Sequence, residues 1–105
     1  MFLRKRPDIA FGLAEFSHMA GRGVLIDVRN PSEYKRGHIP GSVNLPLNQL
    51  KSADKYIPDL GTPVFVYCAN GARADRAVKR LRRAGYRNIK SIGGVEGYRG
   101  EIVSG

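Results

Sequence analysis

The most hydrophobic run of the chain, PVFVYC at residues 63–68, is the feature that most limits how this sequence can fold. A short, continuous apolar run is typical of a strand that is buried on both faces, as in the middle of a parallel sheet. The following segment, residues 72–84, repeats apolar side chains at helical spacing, and Gly85 stands where a C-terminal cap belongs. The repeated positions are Ala74, Ala77, Val78, Leu81 and Ala84. Together the two segments predict a buried strand followed by an amphipathic helix.

Three further strands are predicted from short apolar or β-branched runs. They are residues 23–29 (GVLIDVR), 42–47 (SVNLPL) and 88–92 (NIKSI). Helix-like segments lie between them, and this alternation predicts an α/β fold in three layers, with helices flanking a central, mainly parallel sheet. The 105 residues are predicted to form a single domain, residues 1–105, whose N-terminal segment, residues 1–22, is basic and helix-like.

Two of the intervening segments carry clear helix signals. In residues 30–37 (NPSEYKRG), Asn30 is suited to cap the helix, and Glu33 is placed to return to the first N–H groups. Residues 47–57 (LNQLKSADKYI) are predicted to form another helix, whose inward-facing side chains are Leu47, Leu50, Ala53 and Ile57. The last residues, 93–105, are predicted to form a turn and a tail.

The chain carries a formal net charge of +9, from 18 Lys and Arg against 9 Asp and Glu. Clustered cations favour nucleic-acid binding, because they release counterions from the phosphate backbone. Here the cations run from Arg4 to Arg99, and no RNA-stacking aromatic motif accompanies them. The pattern therefore favours an anionic small molecule or protein as the partner, rather than nucleic acid.

The sequence contains no segment that is long and apolar enough to span a membrane, since the longest apolar run is residues 64–69. The apolar stretch near the N-terminus is short and is interrupted by Gly12 and Glu15, which makes a poor secretory signal. We therefore expect a cytoplasmic protein with no membrane partner.

Cys68 is the only cysteine of the chain, and the two histidines are His18 and His38. A single cysteine excludes an internal disulfide, and there is no cysteine pair to form a metal cluster with the histidines. We therefore expect neither a metal nor a cofactor. Any chemistry at Cys68 must proceed without a second thiol from the same chain.

Cys68 lies where open α/β sheets commonly bind ligands, at the carboxyl end of a strand and just before the next helix. The intervening residues, ANGA at 69–72, are small, and Gly71 is free to adopt a positive φ. Such a loop can turn backbone N–H groups toward the sulfur, and with the positive end of the helix they favour a thiolate. Arg73 adds a guanidinium suited to an oxyanion, although a cation opposes the dipole at a helix N-terminus. This mismatch indicates a functional role for Arg73.

The alternative interpretation is that Cys68 is a small buried core residue that happens to end a strand. Composition alone favours this interpretation, because lone cysteines are commonly structural. The order of strand, cysteine, glycine-containing loop, arginine and helix favours a nucleophile instead.

Three segments of the chain resemble the rhodanese-like sulfurtransferase domains. Residues 25–47 (LIDVRNPSEYKRGHIPGSVNLPL) are similar to the amino-terminal signature of that family, residues 66–74 (VYCANGARA) to its active-site loop, and residues 93–98 (GGVEGY) to its carboxyl-terminal motif. The three occur in the family's order and spacing and cover most of the chain after Val24. The length resembles that of the single-domain members.

The resemblance implies a persulfide enzyme in which Cys68 is the catalytic nucleophile. Cys68 would take the outer sulfur of a small anionic donor, thiosulfate or another persulfide donor, and pass it to cyanide or to a thiol. The resemblance also implies that the substrate's anionic group binds in the loop that Cys68 begins. The binding residues are then Ala69, Asn70, Gly71, Ala72 and Arg73.

Loop length separates two chemistries within the superfamily that the sequence resembles. The six residues from Cys68 to Arg73 are similar to the sulfur-transferring members, whereas seven-residue loops are found in related cell-cycle phosphatases and arsenate reductases. Phosphatase or arsenate reductase activity is therefore the alternative prediction. A third prediction is a non-catalytic interaction module, although such modules commonly lack the cysteine. Ala69 and Asn70 stand where strongly thiosulfate-active members often carry a basic residue, which argues against thiosulfate as the physiological donor.

Four other residues within the matched motifs are expected to have supporting roles. Asp27 and Arg29 end a strand at the same edge of the sheet as Cys68, so we expect them to support the loop through hydrogen bonds. His38 is expected to make structural hydrogen bonds in a turn, because persulfide transfer needs no strong base once the thiolate exists. Tyr67 alternates with Cys68 on a buried strand and is expected in the core.

Arg76, Arg80 and Arg83 follow an i, i+4, i+7 spacing and predict a basic stripe that runs away from the loop. One interpretation is a solvated helix face. The other is that the stripe binds an acidic acceptor protein or steers anionic donors toward Cys68.

Overall fold

The computed structural model describes residues 8–105, so the first seven residues of the predicted N-terminal segment lie outside the described part. The described elements are α1 (Ile9–His18), β1 (Val24–Asp27), α2 (Pro31–Arg36), β2 (Val43–Asn44), a 3-10 helix (Leu47–Ser52), α3 (Ala53–Tyr56), β3 (Val64–Cys68), α4 (Ala72–Arg83) and β4 (Ile89–Gly94). Strands and helices alternate, as the sequence predicts.

The four strands form one parallel sheet in the order β2-β1-β3-β4. All five residues of β3 are buried, and the strand has a neighbour on each side, which confirms the prediction from the PVFVYC run. Because the strands are parallel, their carboxyl ends meet at one edge, where Asp27 pairs with Tyr67 and Cys68 with Gly94. The predicted α/β fold with a central parallel sheet is confirmed.

The side chains of β3 alternate between two packed layers. Val64, Val66 and Cys68 belong to a core shared with α4, α3 and the 3-10 helix. Phe65 and Tyr67 belong to a second core shared with α1 on the other face of the sheet. Helices therefore cover both faces, and the sulfur of Cys68 lies on the side of α4.

Helix α4 buries four of the five apolar positions that recur at helical spacing: Ala74, Ala77, Val78 and Leu81. The fifth, Ala84, is exposed, because the helix ends at Arg83, one residue before the predicted end, and Ala84 is its C-terminal cap. Gly85 follows with a φ of 110°, the left-handed conformation that closes many helices.

The predicted helix over residues 47–57 is a 3-10 helix followed by the single α-helical turn of α3, with a break in helical geometry at Gln49. The physical reason is spacing. Leu47, Leu50 and Ala53 recur every third residue, and a 3-10 helix, with about three residues per turn, places such residues on one side. All three contact the core, as does Ile57, so their inward orientation is confirmed.

The residues after β4 do not form a free tail. Val103 pairs with His38 in an antiparallel bridge, in which each backbone N–H donates to the carbonyl of the other residue (2.8 and 2.9 Å). Gly105 N–H donates to the carbonyl of Lys35 (2.8 Å). The last residues are therefore fixed to the end of α2.

None of the helices within residues 8–105 is long and apolar enough to cross a membrane.

Candidate active site

Cys68 is the last residue of β3, and only residues 69–71 separate it from α4. Its side chain is completely buried. Gly71, which caps α4, has a φ of 99°, a conformation that glycine adopts without the strain a side chain would cause. The Asn70 side chain accepts a hydrogen bond from Ala72 N–H (3.1 Å), which tightens the turn. The short loop therefore curls over the sulfur.

Two backbone N–H groups point at the sulfur of Cys68. Gly71 N lies 3.0 Å from Sγ, and Ala74 N lies 3.3 Å from it. Both donors come from the start of α4, where unpaired N–H groups favour negative charge. The predicted set of inward-facing donors is thus present around Cys68.

The outer side of the loop is held by the end of β4. Val95 N–H donates to the Cys68 carbonyl and Glu96 N–H donates to the Ala69 carbonyl, each over 2.9 Å. Gly94 lies so close to the loop that a Cβ atom there would be 2.2 Å from the Ala69 oxygen. These contacts turn the carbonyls away from the sulfur. The sequence singled out residues 93–98 only as a family-like motif, and a glycine pair at a strand end was the available signal for this close approach.

Arg73 does not present a free guanidinium to the loop. Its two terminal nitrogens donate to the two carboxylate oxygens of Glu33, over 2.7 and 3.0 Å. Glu33 also accepts from Asn30 N–H (3.0 Å), which confirms its predicted capping role. The guanidinium group that we expected to bind a substrate oxyanion is therefore bonded to a protein carboxylate. This ion pair, which the sequence analysis missed, accounts for a cation at the start of α4.

The Glu33–Arg73 pair has a marked effect on the ionisation of both groups. The hydrogen bonds from Arg73 hold the pKa of Glu33 at about 2, well below its ordinary value of 4.5. The same hydrogen bonds raise the pKa of Arg73. Glu33 is therefore a carboxylate at neutral pH, fixed within the site and facing Arg73.

Asp27 and Arg29 form a buried ion pair at the carboxyl end of β1. Arg29 Nη2 lies 2.7 Å from Asp27 Oδ2, and it also donates to the Gly37 carbonyl over 2.6 Å. Burial alone would lower the pKa of Arg29, but the hydrogen bond to Asp27 and its charge outweigh this effect and raise it. The expectation that these residues hydrogen-bond to the Cys68 loop is wrong. Buried polar groups need hydrogen-bond partners, and the Arg29 side chain donates its hydrogen bonds to Asp27 and to the Gly37 carbonyl instead.

His38 and Tyr67 occupy the structural roles that were expected of them. His38 Nδ1 lies 2.7 Å from the Tyr34 carbonyl, and the ring stacks on the Tyr34 ring with a centroid distance of 3.6 Å. Tyr67 is fully buried, and its hydroxyl accepts from Ile39 N–H and pairs with the Ser42 hydroxyl, each over 3.0 Å. Burial raises the pKa of Tyr67 far above its usual value, so its hydroxyl stays neutral.

Two cavities of about 400 Å³ each lie beside the loop. The first is lined by the loop residues 69–72, the end of β4 and two carboxylates, Asp75 and Glu96. The second is lined by Ala69, Glu96, Glu33 and the cations Arg29 and Arg36. Within residues 8–105, no group of three or more His, Cys, Asp or Glu side chains is placed to hold a metal ion. Open space large enough for a small molecule therefore adjoins the loop on two sides.

Comparison with known proteins identifies the family. Residues 13–101 match the family described as the rhodanese-like domain. The chain belongs to this family. It is 41% identical over 93 residues to the uncharacterized protein YqhL of Bacillus subtilis, a match that covers 86% of this chain and 73% of YqhL. It is 35% identical over 72 residues to thiosulfate sulfurtransferase PspE of Escherichia coli, covering 68% of this chain and 69% of PspE.

Solved structures agree with this assignment. The structure described as a rhodanese with anions from E. coli superimposes with a TM-score of 0.74 at 32% identity, and the match covers 79% of this chain and 99% of that one. The rhodanese-like chain described here therefore shares both fold and sequence with a protein of that name.

Proposed function

We propose that this rhodanese-like protein is a sulfurtransferase that carries sulfur as a persulfide on Cys68. The observation that carries the proposal is the position of Sγ beneath a six-residue loop, where Gly71 and Ala74 direct their N–H groups at it. Donors fixed in this way can bind an anionic sulfur, and the thiolate is the form of cysteine that attacks sulfur. The relatives named as a thiosulfate sulfurtransferase and as a rhodanese support the proposal.

The chemistry needs no metal, oxidant or reductant. The Cys68 thiolate attacks the outer sulfur of thiosulfate, a new S–S bond forms, and sulfite leaves with the electron pair of the broken S–S bond. A persulfide donor reacts in the same way and releases its thiolate. Cyanide, or an acceptor thiolate, then attacks the outer sulfur on Cys68. Thiocyanate or a new persulfide leaves, and the Cys68 thiolate is restored.

In this proposal the loop binds substrate chiefly through its backbone. Ala69 and Ala72 contribute small side chains, Ala69 and Gly71 contribute N–H groups, and Asn70 fixes the turn by accepting a hydrogen bond from Ala72 N–H. Arg73 acts with Glu33 to fix the start of α4, rather than as a free cation. Since the loop residues at positions 69 and 70 are uncharged, a persulfide donor suits the site better than dianionic thiosulfate does.

Intact-mass spectrometry after incubation with thiosulfate, inorganic polysulfide or glutathione persulfide in turn tests the proposal. We expect a gain of one sulfur atom, larger with the persulfide donors, that cyanide removes as thiocyanate. The Cys68→Ser variant is the matched control and should gain nothing. Turnover by the serine variant, or no sulfur gain from any donor, would show that the assignment is wrong.

The phosphatase or arsenate reductase alternative is tested in the same preparation with an aryl phosphate and with arsenate. A six-residue loop forms a smaller ring than a tetrahedral phosphate or arsenate requires, so we expect negligible Cys68-dependent activity on either. Robust activity there would favour the alternative. A protein that loads no sulfur and has neither activity would instead be the non-catalytic interaction module.

A further inference from the structure

Helix α4 has two sides of very different character. One side is buried in the core through Ala74, Ala77, Val78 and Leu81. The other side carries four exposed cations, which we call the basic face: Arg76, Lys79, Arg80 and Arg83. At 3.6 residues per turn these four positions fall on one side of the helix, so the predicted stripe exists and includes a lysine as well.

The cations of the basic face have no anionic partner within residues 8–105. The ion pairs of the described residues involve Arg29, Arg73 and Lys90 instead. Residues 1–7 contain no Asp or Glu, so the side-chain carboxylates of the chain all lie in the described part. Asp75 is the one acidic residue of α4, and it too forms no ion pair there. The face therefore presents uncompensated positive charge.

The cations of the basic face are close enough along the helix to repel one another. Cations three or four residues apart on one face repel each other, and this holds for Arg76 with Lys79 and Arg80, and for Arg83 with the same two residues. The packing of α4 comes from its opposite side. Arg80 and Arg83 lie in the last turn of α4, where the helix dipole favours a cation, but neither they nor the other two cations have an ion-pair partner among the described residues. The charge of the basic face is therefore available to an anionic ligand outside the molecule.

The basic face begins beside the Cys68 loop. Helix α4 starts at Ala72, directly after that loop, so at 1.5 Å per residue Arg76 lies about 6 Å and Arg83 about 16 Å further along the axis. Cys68 itself is completely buried under the loop. A partner bound at the basic face would therefore need a narrow, flexible segment that reaches past Ala72 into the cavity beside the loop.

We propose that the basic face docks an acidic protein whose flexible, thiol-bearing segment exchanges sulfur with Cys68. The exchange rests on the sulfurtransferase function proposed above, whereas the docking rests on the charge of α4. Nucleic acid is the less favoured partner, because the exposed aromatic side chains of residues 8–105, Phe11 and Tyr56, both lie outside α4. Proteins that bind single-stranded nucleic acid combine cations with stacking aromatics.

Two synthetic peptides serve as probes. One carries a run of glutamates followed by a Gly-Ser spacer and a terminal cysteine, and the other has glutamine in place of each glutamate. In a second version of each peptide, serine replaces the terminal cysteine, so the peptide cannot accept sulfur. Fluorescence anisotropy of these versions measures binding alone. The test variant combines Arg76→Glu, Arg80→Glu and Arg83→Glu. The matched control combines Arg22→Glu, Lys55→Glu and Arg87→Glu, which are exposed, lie outside α4 and change the net charge equally.

At about 0.1 M salt we expect the acidic peptide to bind the parent and the control at least about tenfold more tightly than the neutral peptide. The α4 variant should lose that preference. The preference should shrink at 1 M salt, where the screening length falls from about 10 Å to about 3 Å. Sulfur transfer from loaded Cys68 to the acidic thiol peptide should fall about tenfold in the α4 variant, while transfer to neutral dithiothreitol is unchanged.

Equal binding of the two peptides, or equal losses in both triple variants, would overturn the docking proposal. A single-stranded RNA oligonucleotide is tested in the same way. If it binds the parent more tightly than the acidic peptide does, and the α4 variant loses that RNA binding, the face belongs to nucleic acid and the docking proposal is overturned. If Cys68 accepts no sulfur from any donor, the proposed function fails. The serine-ended peptides still decide the docking in that case.

Discussion

Two glycines determine the geometry around the Cys68 sulfur. Gly71 takes the left-handed conformation that lets its N–H point at Sγ, 3.0 Å away. Gly94 allows β4 to approach the loop so closely that no side chain fits between them. The polar environment of the sulfur therefore depends on residues that have no side chain of their own.

Substitution of Gly94 by alanine should displace the loop. The new Cβ would lie 2.2 Å from the Ala69 oxygen, which is backbone and has little freedom to move. We expect the free energy of unfolding to fall by about 1–3 kcal/mol. The rate of sulfur loading should fall by about 10- to 100-fold, because the N–H groups lose their alignment with Sγ. Urea unfolding and timed mass spectrometry measure the two effects.

Gly61→Ala is the matched control for that substitution. A Cβ at Gly61 would approach only the ends of the flexible Arg87 and Asp59 side chains, at 3.2 and 3.4 Å. Its loading rate should match that of the parent. A Gly94→Ala protein that loads sulfur as fast as Gly61→Ala would show that the close approach does not position the loop.

Among the elements, α2 and α4 are joined by one ion pair, from Glu33 to Arg73, whose side chains are 22% and 29% exposed. Helix α2 buries none of its own residues. The ion pair and the hydrogen bonds at the two ends of α2 therefore do much to hold this helix beside the Cys68 loop.

The stability of the protein should depend on pH through Glu33. Its pKa is about 2 in the folded state against an ordinary value of 4.5, so the folded state favours the carboxylate. The resulting stabilisation is complete above pH 4.5 and is lost as the pH falls from there toward 2. At pH 6, Glu33→Gln should lower the free energy of unfolding by about 1–2 kcal/mol, since partial exposure weakens the pair. This difference should shrink below pH 4.

Urea unfolding of the parent and Glu33→Gln between pH 6 and pH 3 measures this effect. Glu15→Gln is the control, because the Glu15–Lys90 pair is more exposed, with side chains 37% and 46% accessible, and should contribute at most about 0.5 kcal/mol. A difference between parent and Glu33→Gln that stays constant with pH would contradict the assigned ionisation.

The elements could be predicted from the sequence because their signals are local. Each signal is contained in a short stretch of sequence. Examples are the apolar run of β3, the helical spacing of apolar residues in α4 and the small residues after Cys68. The contacts that complete the site join distant parts of the chain. Arg73 meets a carboxylate 40 residues away, and no local pattern shows which glutamate it will meet. The same limit explains why Arg29 was assigned to the wrong neighbour.

At the scale of the whole molecule, the last residues join the end of α2 through the bridge between His38 and Val103. His38 is nearly buried, at 8% exposure, so its backbone groups depend on this bridge rather than on water. The backbone groups of His38 and Val103 hydrogen-bond to each other and not to the Cys68 loop.

Removal of residues 103–105 should therefore destabilise the fold without preventing sulfur loading. Three backbone hydrogen bonds are lost, two at His38 and one at the Lys35 carbonyl, and we expect a loss of about 1–2 kcal/mol in the free energy of unfolding. Hydrogen exchange should accelerate at the His38 amide. Removal of residues 104–105 alone keeps the bridge and is the control. Unchanged exchange at His38 in the longer deletion would contradict this role of Val103.

The support of the Cys68 loop by residues 93–96 has a consequence for the growing chain. On the ribosome the cysteine leaves the exit tunnel before the residues that anchor its loop have left it. At that stage its thiol is exposed in an unfolded segment, and the N–H groups of Gly71 and Ala74 are not yet fixed around it. The donors around Cys68 are therefore assembled only when the final strand docks, after the loop itself has been made.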